Sequence, residues 1–214
     1  MGAEAAARVR LQWGRRQHVL GLEHQLERVR WEARGRRRVV FLDRDGTLTP
    51  ELGALGEPDR LRLLPGAGEG LRTLSAAGFE CIVVTNQAAV GRGVLSLEAV
   101  DRVQARLREL VRREGVELAA LYQCPHRPED GCACRKPGDG LWRQAQADLG
   151  VRLADAWTIG DSSRDVLAGQ RAGTRTVLVA SGWGGSDPGA AQVRAEPDCR
   201  AANLLAAARL VAQP

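Results

Sequence analysis

The sequence predicts an α/β fold with a doubly wound, mostly parallel sheet, and two observations favour this class. Short apolar runs alternate along the chain with longer segments of helical spacing, which is the pattern of parallel strands joined by helices. Several apolar runs also end directly in acidic or hydroxyl residues, and open α/β sheets bind ligands at the carboxyl ends of their strands. The length of 214 residues suits one such domain with an appendage, and 44% hydrophobic content suffices for a full core.

The alternation runs through the whole domain. The predicted strands cover residues 39–42, 79–84, 118–123, 156–159 and 176–180. The predicted helices cover residues 66–78, 96–114, 139–149, 165–172 and 201–212. The predicted loops, rich in glycine and proline, cover residues 50–65, 124–138 and 182–190. The longest helix opens at Ser96 and ends before Gly115, which are typical boundary residues. Because the loop at 50–65 is short, we expect a minimal cap over the site.

A basic extension, residues 1–38, precedes the domain, which we place at 39–214. The extension holds ten arginines and four glutamates, whereas the rest of the chain is almost neutral. Its apolar residues between positions 9 and 33 often lie three or four apart, so we expect it to be helical or partly disordered. A basic arm can bind nucleic acid or an anionic surface, but it can equally be a solvated helix or sequence upstream of the true start codon.

Composition also bears on the compartment and on membrane partners. No apolar run reaches the ~18 residues of a membrane span, and the N-terminus lacks the apolar stretch of a signal peptide. We therefore expect a soluble, cytoplasmic protein without a membrane partner. Cys81 and Cys199 stand apart from the other cysteines, and we expect them to be small buried core residues.

The other three cysteines and one histidine lie in a single short loop, with the sequence C-P-H-R-P-E-D-G-C-A-C at residues 124–134. Three thiols and one imidazole match the ligands of a structural, tetrahedral Zn²⁺ site with no open position. Without a signal peptide, zinc is favoured over the alternatives of a disulfide or free thiols. The predicted zinc ligands are Cys124, His126, Cys132 and Cys134.

Reactive side chains recur where predicted strands end. The first strand is followed by two carboxylates one residue apart, of which one can attack and the other can handle protons. Lys136 is the single lysine in the chain, and its position between Cys134 and Pro137 argues against a chance surface residue. The candidate catalytic residues and metal ligands are Asp43, Asp45, Thr85, Lys136, Asp161 and Asp165.

These groups belong to motifs in a fixed order. The motifs are D-R-D-G-T at 43–47, T-N-Q at 85–87, R-K-P at 135–137 and G-D-S-S-R-D at 160–165. Together they resemble the four motifs of the haloacid dehalogenase (HAD) superfamily of phosphohydrolases. The resemblance implies a HAD-like Rossmannoid fold and hydrolysis of a phosphomonoester through an aspartyl-phosphate. Because a phosphomonoester repels a carboxylate, the reaction also needs a hard cation such as Mg²⁺ between them.

The resemblance assigns a role to each motif residue. Asp43 would be the nucleophile, and Asp45 would protonate the leaving oxygen and then activate water. Mg²⁺ would be held by Asp43, Asp161 and the backbone carbonyl of Asp45. Thr85 would donate a hydrogen bond to the transferring phosphoryl group, and Lys136 would balance the charge of nucleophile and phosphate. Asp165 would orient Lys136 or a metal-bound water.

The cysteine loop narrows the resemblance to one subgroup, which contains heptose 1,7-bisphosphate phosphatases and histidinol-phosphatase domains. This subgroup implies a small phosphorylated metabolite as substrate. D-glycero-D-manno-heptose 1,7-bisphosphate, losing its 7-phosphate, is favoured, and histidinol phosphate is the alternative. The implied substrate contacts are Asn86, Gln87, Arg92 and Arg135. Arg92 lies in a G-R-G turn, where a solvated arginine is an equally good explanation.

Some features depart from this subgroup. Segment 50–57 lacks the tyrosine that heptose phosphatases usually carry there, and Ser162 stands where relatives often have a basic residue. A nucleic-acid end-processing phosphatase could use the basic arm with Trp13 and Trp31, but the near-neutral domain argues against it. A non-catalytic binding protein is disfavoured because every motif residue is present. We expect a monomer.

Overall fold

One parallel sheet organises the molecule. The computed structural model describes residues 38–188, 193 and 195–213. The strands are β1 (Arg38–Leu42), β2 (Phe79–Asn86), β3 (Leu118–Cys124), β4 (Trp157–Gly160), β5 (Arg175–Val179) and β6 (Cys199–Ala201). Their order in the sheet is β3-β2-β1-β4-β5-β6, and every pair of neighbours is parallel. The predicted α/β class and doubly wound sheet are confirmed.

Helices cover both faces of this sheet. They are α1 (Ala67–Ala76), α2 (Ala88–Gly91), α3 (Leu97–Arg113), α4 (Gly140–Leu149), α5 (Ser163–Ala172) and α6 (Leu204–Val211). Short 3-10 helices occur at Pro58–Arg60, Pro128–Asp130 and Leu153–Asp155. Successive residues of a strand point to opposite faces. Accordingly, Val40 and Leu42 pack with α1, α3 and α6, whereas Val39 and Phe41 pack with α4 and α5.

The strand order places a crevice at the carboxyl end of β1. From β1 the chain winds outward through β2 to β3, then crosses back to β4 and winds the other way to β6. The order therefore reverses beside β1, and such a switch point is where open α/β sheets bind ligands. Hydrogen bonding continues past the strand itself, because Asp43 N donates to Ile159 O of β4 at 3.0 Å. The backbone of Asp43 is thus fixed from the sheet.

The structure differs from the predicted elements in a few places. Helix α5 begins two residues earlier than expected, because Ser162 and Asp165 cap it reciprocally. Helix α2 and strand β6 were not predicted, since each has only three or four residues. Cys81 is buried as expected, but Cys199 is only half-buried because it lies on the edge strand β6.

Parts of the sequence predictions fall beyond these residues. Arg38 opens β1, and the rest of the predicted N-terminal extension lies outside the described residues. The expected helix or partial disorder of that extension stays a prediction. In the described part of the chain, no helix has the length and apolar character needed to cross a membrane.

Candidate active site

Asp43 and Lys136 form the centre of the crevice. Asp43 follows β1 and Lys136 follows the cysteine loop, and both side chains are almost fully buried. Lys136 Nζ donates to Asp43 Oδ1 at 2.5 Å and to Val84 O at 3.1 Å, and it lies 2.6 Å from Asp165 Oδ1. Two hydrogen bonds and two ion pairs therefore surround the ammonium group. Burial by itself lowers the pKa of Lys136, but the charges of Asp165 and Asp43 outweigh burial and raise that pKa above its ordinary value.

Asp45 has a different environment from Asp43. Arg44, whose side chain is buried, donates from Nε and Nη2 to the two carboxylate oxygens of Asp45 at 2.9 and 2.8 Å. Gln87 Nε2 donates to Asp45 Oδ2 at 3.0 Å and also to Thr85 Oγ1 at 2.9 Å. The side chain of Asp45 therefore has a fixed direction, and Gln87 links it to the hydroxyl at the end of β2.

Three carboxylates converge beside Lys136. Ligand oxygens of Asp43, Asp161 and Asp165 all lie within 4.8 Å of one another. Burial is the main cause that raises the pKa of Asp43 well above its ordinary value, and Lys136 opposes it. Burial, followed by the charge of Asp165, raises the pKa of Asp161 to about 7. Such crowding of acids around one lysine suits a hard divalent cation, which prefers carboxylate oxygens.

Two glycines allow the backbone to approach Asp161. A Cβ atom built on Gly46 or Gly182 would lie 2.1 or 2.0 Å from Asp161 Oδ2, so no side chain fits at either position. Gly46 also has a φ of 83°, which favours glycine. The turn after β1 and the loop after β5 therefore close around the carboxylate that follows β4.

The four cysteine-loop ligands meet as predicted. Cys124, Cys132 and Cys134 have Sγ–Sγ distances of 3.2, 3.5 and 3.6 Å, and His126 Nδ1 lies 3.5 Å from Cys124 Sγ and 3.3 Å from Cys134 Sγ. A tetrahedral ion with bonds of about 2.3 Å to sulfur and about 2.0 Å to nitrogen needs edges of similar length. All five cysteines are free thiols. The donor set and its spacing fit Zn²⁺.

Ionisation within this cluster is uneven. The hydrogen bond between the Cys124 and Cys134 thiols is the largest cause that lowers the pKa of Cys134 to about 5, and it is also the largest cause that raises the pKa of Cys124. Thiolates are the form that binds zinc. The loop thus already contains one thiol poised as a ligand, beside Arg135 and Lys136.

Arginines surround one side of the crevice. Arg135 Nη1 donates to His126 O at 3.3 Å, and Arg164 Nε lies 3.1 Å from the buried carboxylate of Asp187. Burial is the largest cause that lowers the pKa of Arg135. The charge of Cys124 raises that pKa, and the nearby charges of Arg164 and Arg92 lower it further. The positive charge around Arg135 favours an anionic ligand on this side of the crevice.

The crevice brings together residues from many segments. Its lining consists of Asp43, Asp45, Glu51, Thr85, Asn86, Arg135, Lys136, Asp161, Ser162, Arg164, Asp165 and Trp183. Two predicted substrate contacts, Gln87 and Arg92, do not line the crevice. Gln87 is buried and donates to Thr85, whereas Arg92 lies near enough to Arg135 to lower its pKa. Asn86 lines the crevice but uses its amide on the backbone of Lys136.

Sequence reasoning missed several lining residues. Glu51 and Trp183 belong to loops without a motif. Arg164 was not predicted to line the site, although it lies inside G-D-S-S-R-D. The buried Asp187, which holds Arg164, was missed too. The glycine run around Trp183 was the available signal, because such runs often mark a backbone pressed against a site.

Comparisons with known proteins agree with this geometry. The HAD-hydrolase-like family model matches residues 133–207. The D-glycero-beta-D-manno-heptose-1,7-bisphosphate 7-phosphatase of Pseudomonas aeruginosa is 38% identical over 154 residues, which are 69% of this chain and 84% of that protein. The D-glycero-alpha-D-manno-heptose-1,7-bisphosphate 7-phosphatase of Photorhabdus laumondii is 31% identical over 159 residues, which are 71% of this chain and 87% of that protein.

A solved structure is also similar. The D,D-heptose 1,7-bisphosphate phosphatase of B. bronchiseptica, crystallised with magnesium and phosphate, superposes with a TM-score of 0.74 and 31% identity, covering 81% of this chain and 97% of that one. The parallel sheet, the acids after β1 and β4 and the buried lysine define a HAD-like phosphatase. Within that class, the identity shared with these relatives shows that the chain belongs to the heptose-1,7-bisphosphate 7-phosphatase family.

Proposed function

We propose that this phosphatase removes the 7-phosphate from D-glycero-D-manno-heptose 1,7-bisphosphate, with Asp43 as its nucleophile. One observation carries the proposal: the buried Asp43 carboxylate lies 2.5 Å from Lys136 Nζ at the switch point of the sheet, with Asp161 and Asp165 beside it. A carboxylate at that place can attack phosphorus only if opposite charge surrounds it. Lys136 supplies one such charge from within the chain.

The first step joins an oxygen of Asp43 to phosphorus and breaks the bond from phosphorus to the sugar oxygen. The departing oxygen takes a proton from Asp45, and the product is an aspartyl-phosphate on Asp43. In the second step water attacks phosphorus, Asp45 accepts the water proton, and inorganic phosphate leaves Asp43. The bonds from Arg44 and Gln87 fix the direction of Asp45 for both transfers.

Mg²⁺ fits the acids of this site. Asp43, Asp161 and the backbone carbonyl of Asp45 would hold it, and when bound it neutralises the charge of the phosphoryl oxygens. The raised pKa values of Asp43 and Asp161 support this assignment, because buried acids that crowd together favour a bound cation. Lys136 forms ion pairs with both Asp43 and Asp165 and so offsets part of their negative charge.

Zn²⁺ in the cysteine loop would have a structural role. The four ligands leave no open coordination position, and Arg135 and Lys136 follow Cys134 directly. When bound, the ion holds this loop in one conformation. The loop then presents Arg135 at the crevice and Lys136 at Asp43.

The arginine cluster supports a substrate with a second anionic group. Arg135 and Arg164 line the crevice beyond Lys136, and Arg92 adds its charge to theirs. A bisphosphate brings a second phosphate that these guanidinium groups can bind, whereas a monophosphate leaves them without an anion. The Pseudomonas aeruginosa relative is named for the beta anomer of the heptose bisphosphate and the Photorhabdus laumondii relative for the alpha anomer, so both anomers belong in the test.

The test is phosphate release with Mg²⁺ from both heptose 1,7-bisphosphate anomers, histidinol phosphate and a 3′-phosphorylated oligonucleotide, with Asp43→Asn as the blank. We expect one heptose anomer to be hydrolysed fastest and the blank to lose activity by roughly 10³-fold or more. Faster hydrolysis of histidinol phosphate or of the oligonucleotide would overturn the substrate and leave the chemistry intact. Equal activity in the blank would overturn the assignment of Asp43.

A further inference from the structure

Trp183 is an exposed aromatic residue in a polar crevice. Among the described residues, the large hydrophobic side chains that are strongly exposed are Val94 at 62%, Trp183 at 41% and Leu210 at 40%. Of these, Trp183 alone lines the crevice, and no other aromatic residue of the described chain does so. A single exposed aromatic side chain is ordinary on a protein surface, so the informative observation is that Trp183 lies in the crevice, where aromatic residues commonly contact ligands.

The backbone around Trp183 is fixed against the catalytic strands. Trp183 N donates to Asp161 Oδ2 at 2.7 Å, and Gly185 N donates to Asp161 O at 2.8 Å. Ser181 Oγ donates to Gly46 O at 2.8 Å, and Gly182 has no room for a side chain. The loop is therefore attached both to the turn after β1 and to the residue after β4, so Trp183 has a set position relative to Asp43.

Apart from Trp183, the crevice lining within the described residues has no side chain that could pack against the carbon atoms of a substrate. Its other members are charged or polar and can bind phosphate oxygens, hydroxyl groups or a cation. None of them offers a flat apolar surface. A sugar has hydroxyl groups on its edges and C–H bonds on its faces, and an indole combines a large apolar face with low conformational entropy.

We propose that Trp183 is a specificity-determining residue whose indole packs against the carbon skeleton of the sugar phosphate. The proposal rests on the proposed function and adds the surface that distinguishes a carbohydrate phosphate from a phosphate on a small non-carbohydrate group. Because the backbone N–H of Trp183 makes the bond to Asp161, replacing the indole leaves that bond in place.

The test compares two substrates in Trp183→Ala and Trp183→Phe. The substrates are the preferred heptose 1,7-bisphosphate anomer and acetyl phosphate, which has almost no carbon skeleton to pack. We expect Trp183→Ala to raise KM for the heptose substrate about tenfold with kcat nearly unchanged, because the lost contact is the same in the ground and transition states. We expect kcat/KM for acetyl phosphate to stay the same, and Trp183→Phe to restore most of the loss.

Leu210→Ala is the matched control, since Leu210 has the same exposure as Trp183 but lies on α6 outside the crevice lining. Equal losses on both substrates in Trp183→Ala would overturn the proposal and show that the loop acts through Asp161. An unchanged KM for the heptose substrate would also overturn it. If the proposed function itself were wrong, the wild-type protein would hydrolyse acetyl phosphate but no heptose bisphosphate. That result differs from both outcomes that overturn the role of Trp183.

A binding measurement tests the same contact without turnover. In Asp43→Asn protein that also carries Trp13→Phe and Trp31→Phe, the heptose bisphosphate should change the tryptophan fluorescence, because Trp183 is exposed whereas the remaining Trp142 and Trp157 are buried. The change should disappear when Trp183→Phe is added to this protein. A change that persists after that addition would contradict the assigned contact.

Discussion

Asn86 and Lys136 exchange two hydrogen bonds between β2 and the end of the cysteine loop. Asn86 Nδ2 donates to Lys136 O at 3.2 Å, and Lys136 N donates to Asn86 Oδ1 at 3.1 Å. The pair fixes the main chain of Lys136, while the hydrogen bonds from Nζ to Asp43 and Val84 fix the ammonium end of its side chain. An asparagine predicted to contact substrate thus acts in this structure on the backbone of the lysine.

Asn86→Ala should reduce turnover by releasing Lys136 from β2. We expect kcat to fall about 10- to 100-fold, because a small displacement of a charged group weakens its effect on the transition state. KM should change much less. Asn203→Ala is the control, since Asn203 caps α6 far from Lys136 in the sequence: it should lower the melting temperature and leave kcat intact. A drop in kcat of similar size in both variants would contradict this role for Asn86.

Arg164→Met should weaken binding of a bisphosphate more than binding of a monophosphate. Arg164 lines the crevice, and its Nε is held by Asp187, whose other oxygen accepts from Ser163 N and Oγ. We expect KM for the bisphosphate to rise by about 10-fold or more, because a charged contact to the second phosphate is lost. Steady-state kinetics on the heptose 1,7-bisphosphate and on heptose 7-phosphate would show the difference.

Two further variants sharpen this test. Asp187→Asn should shift KM in the same direction but less, because it removes the charge that orients Arg164. Arg209→Met removes an exposed arginine on α6 and should change neither substrate. If Arg164→Met raised KM equally for both phosphates, the second-phosphate role of Arg164 would be wrong.

Zinc removal should unfold the cysteine loop and lower the stability of the domain. Cys134→Ser removes one of the four ligands, so we expect the purified protein to lose its zinc, which elemental analysis would show as one ion per chain in the wild type. Cys199→Ser is the control, because Cys199 lies on β6 outside the cluster. Zinc retained in Cys134→Ser at the wild-type level would contradict the predicted ligand set.

Acidity should control the stability of the protein through Asp161 when Mg²⁺ is absent. Its pKa in the folded protein is about 7, raised by burial and by Asp165 from an ordinary 3.8. The folded state therefore keeps this proton longer than the unfolded state, so the contribution of Asp161 to stability is full at low pH and is lost as pH rises from the ordinary value towards 7. Asp161→Asn stays neutral throughout.

The measurement is thermal unfolding of the zinc-loaded protein without added Mg²⁺ across this range. We expect Asp161→Asn to gain on the wild type as pH rises, by roughly 2–4 °C or more once Asp161 is ionised. Added Mg²⁺ should raise the melting temperature of the wild type above that pH and do little for Asp161→Asn. A temperature difference between the two proteins that is independent of pH would contradict the assigned pKa.

The sequence predicted the elements well where local signals were strong. Apolar runs located five of the six strands, and residues such as Ser96 and Gly150 located helix ends. It failed for α2 and β6, because a three- or four-residue element carries too little periodicity to be recognised. The start of α5 was missed although S-S-R-D contains the pattern of a capping box.

The candidate site, like the secondary structure, was predicted in part from the sequence. The order of the motifs was enough to predict that Asp43, Lys136 and Asp161 come together, because parallel strands deliver their ends to one edge. The spacing within the cysteine loop separately predicted the cluster of three thiols and His126. The roles of those residues stay predictions. By contrast, Trp183, Asp187 and the use of Asn86 on Lys136 came only from the structure.

The sequence by itself therefore determined the class of fold, which reactive side chains stand at the strand ends and which four side chains of the cysteine loop meet. Only the tertiary structure decided which loops surround that chemistry and which side chains hold others in place. The physical reason is that strand ends and ligand spacing are local features of the chain. Contacts such as Asp187 with Arg164 depend instead on how distant loops fold back over the sheet.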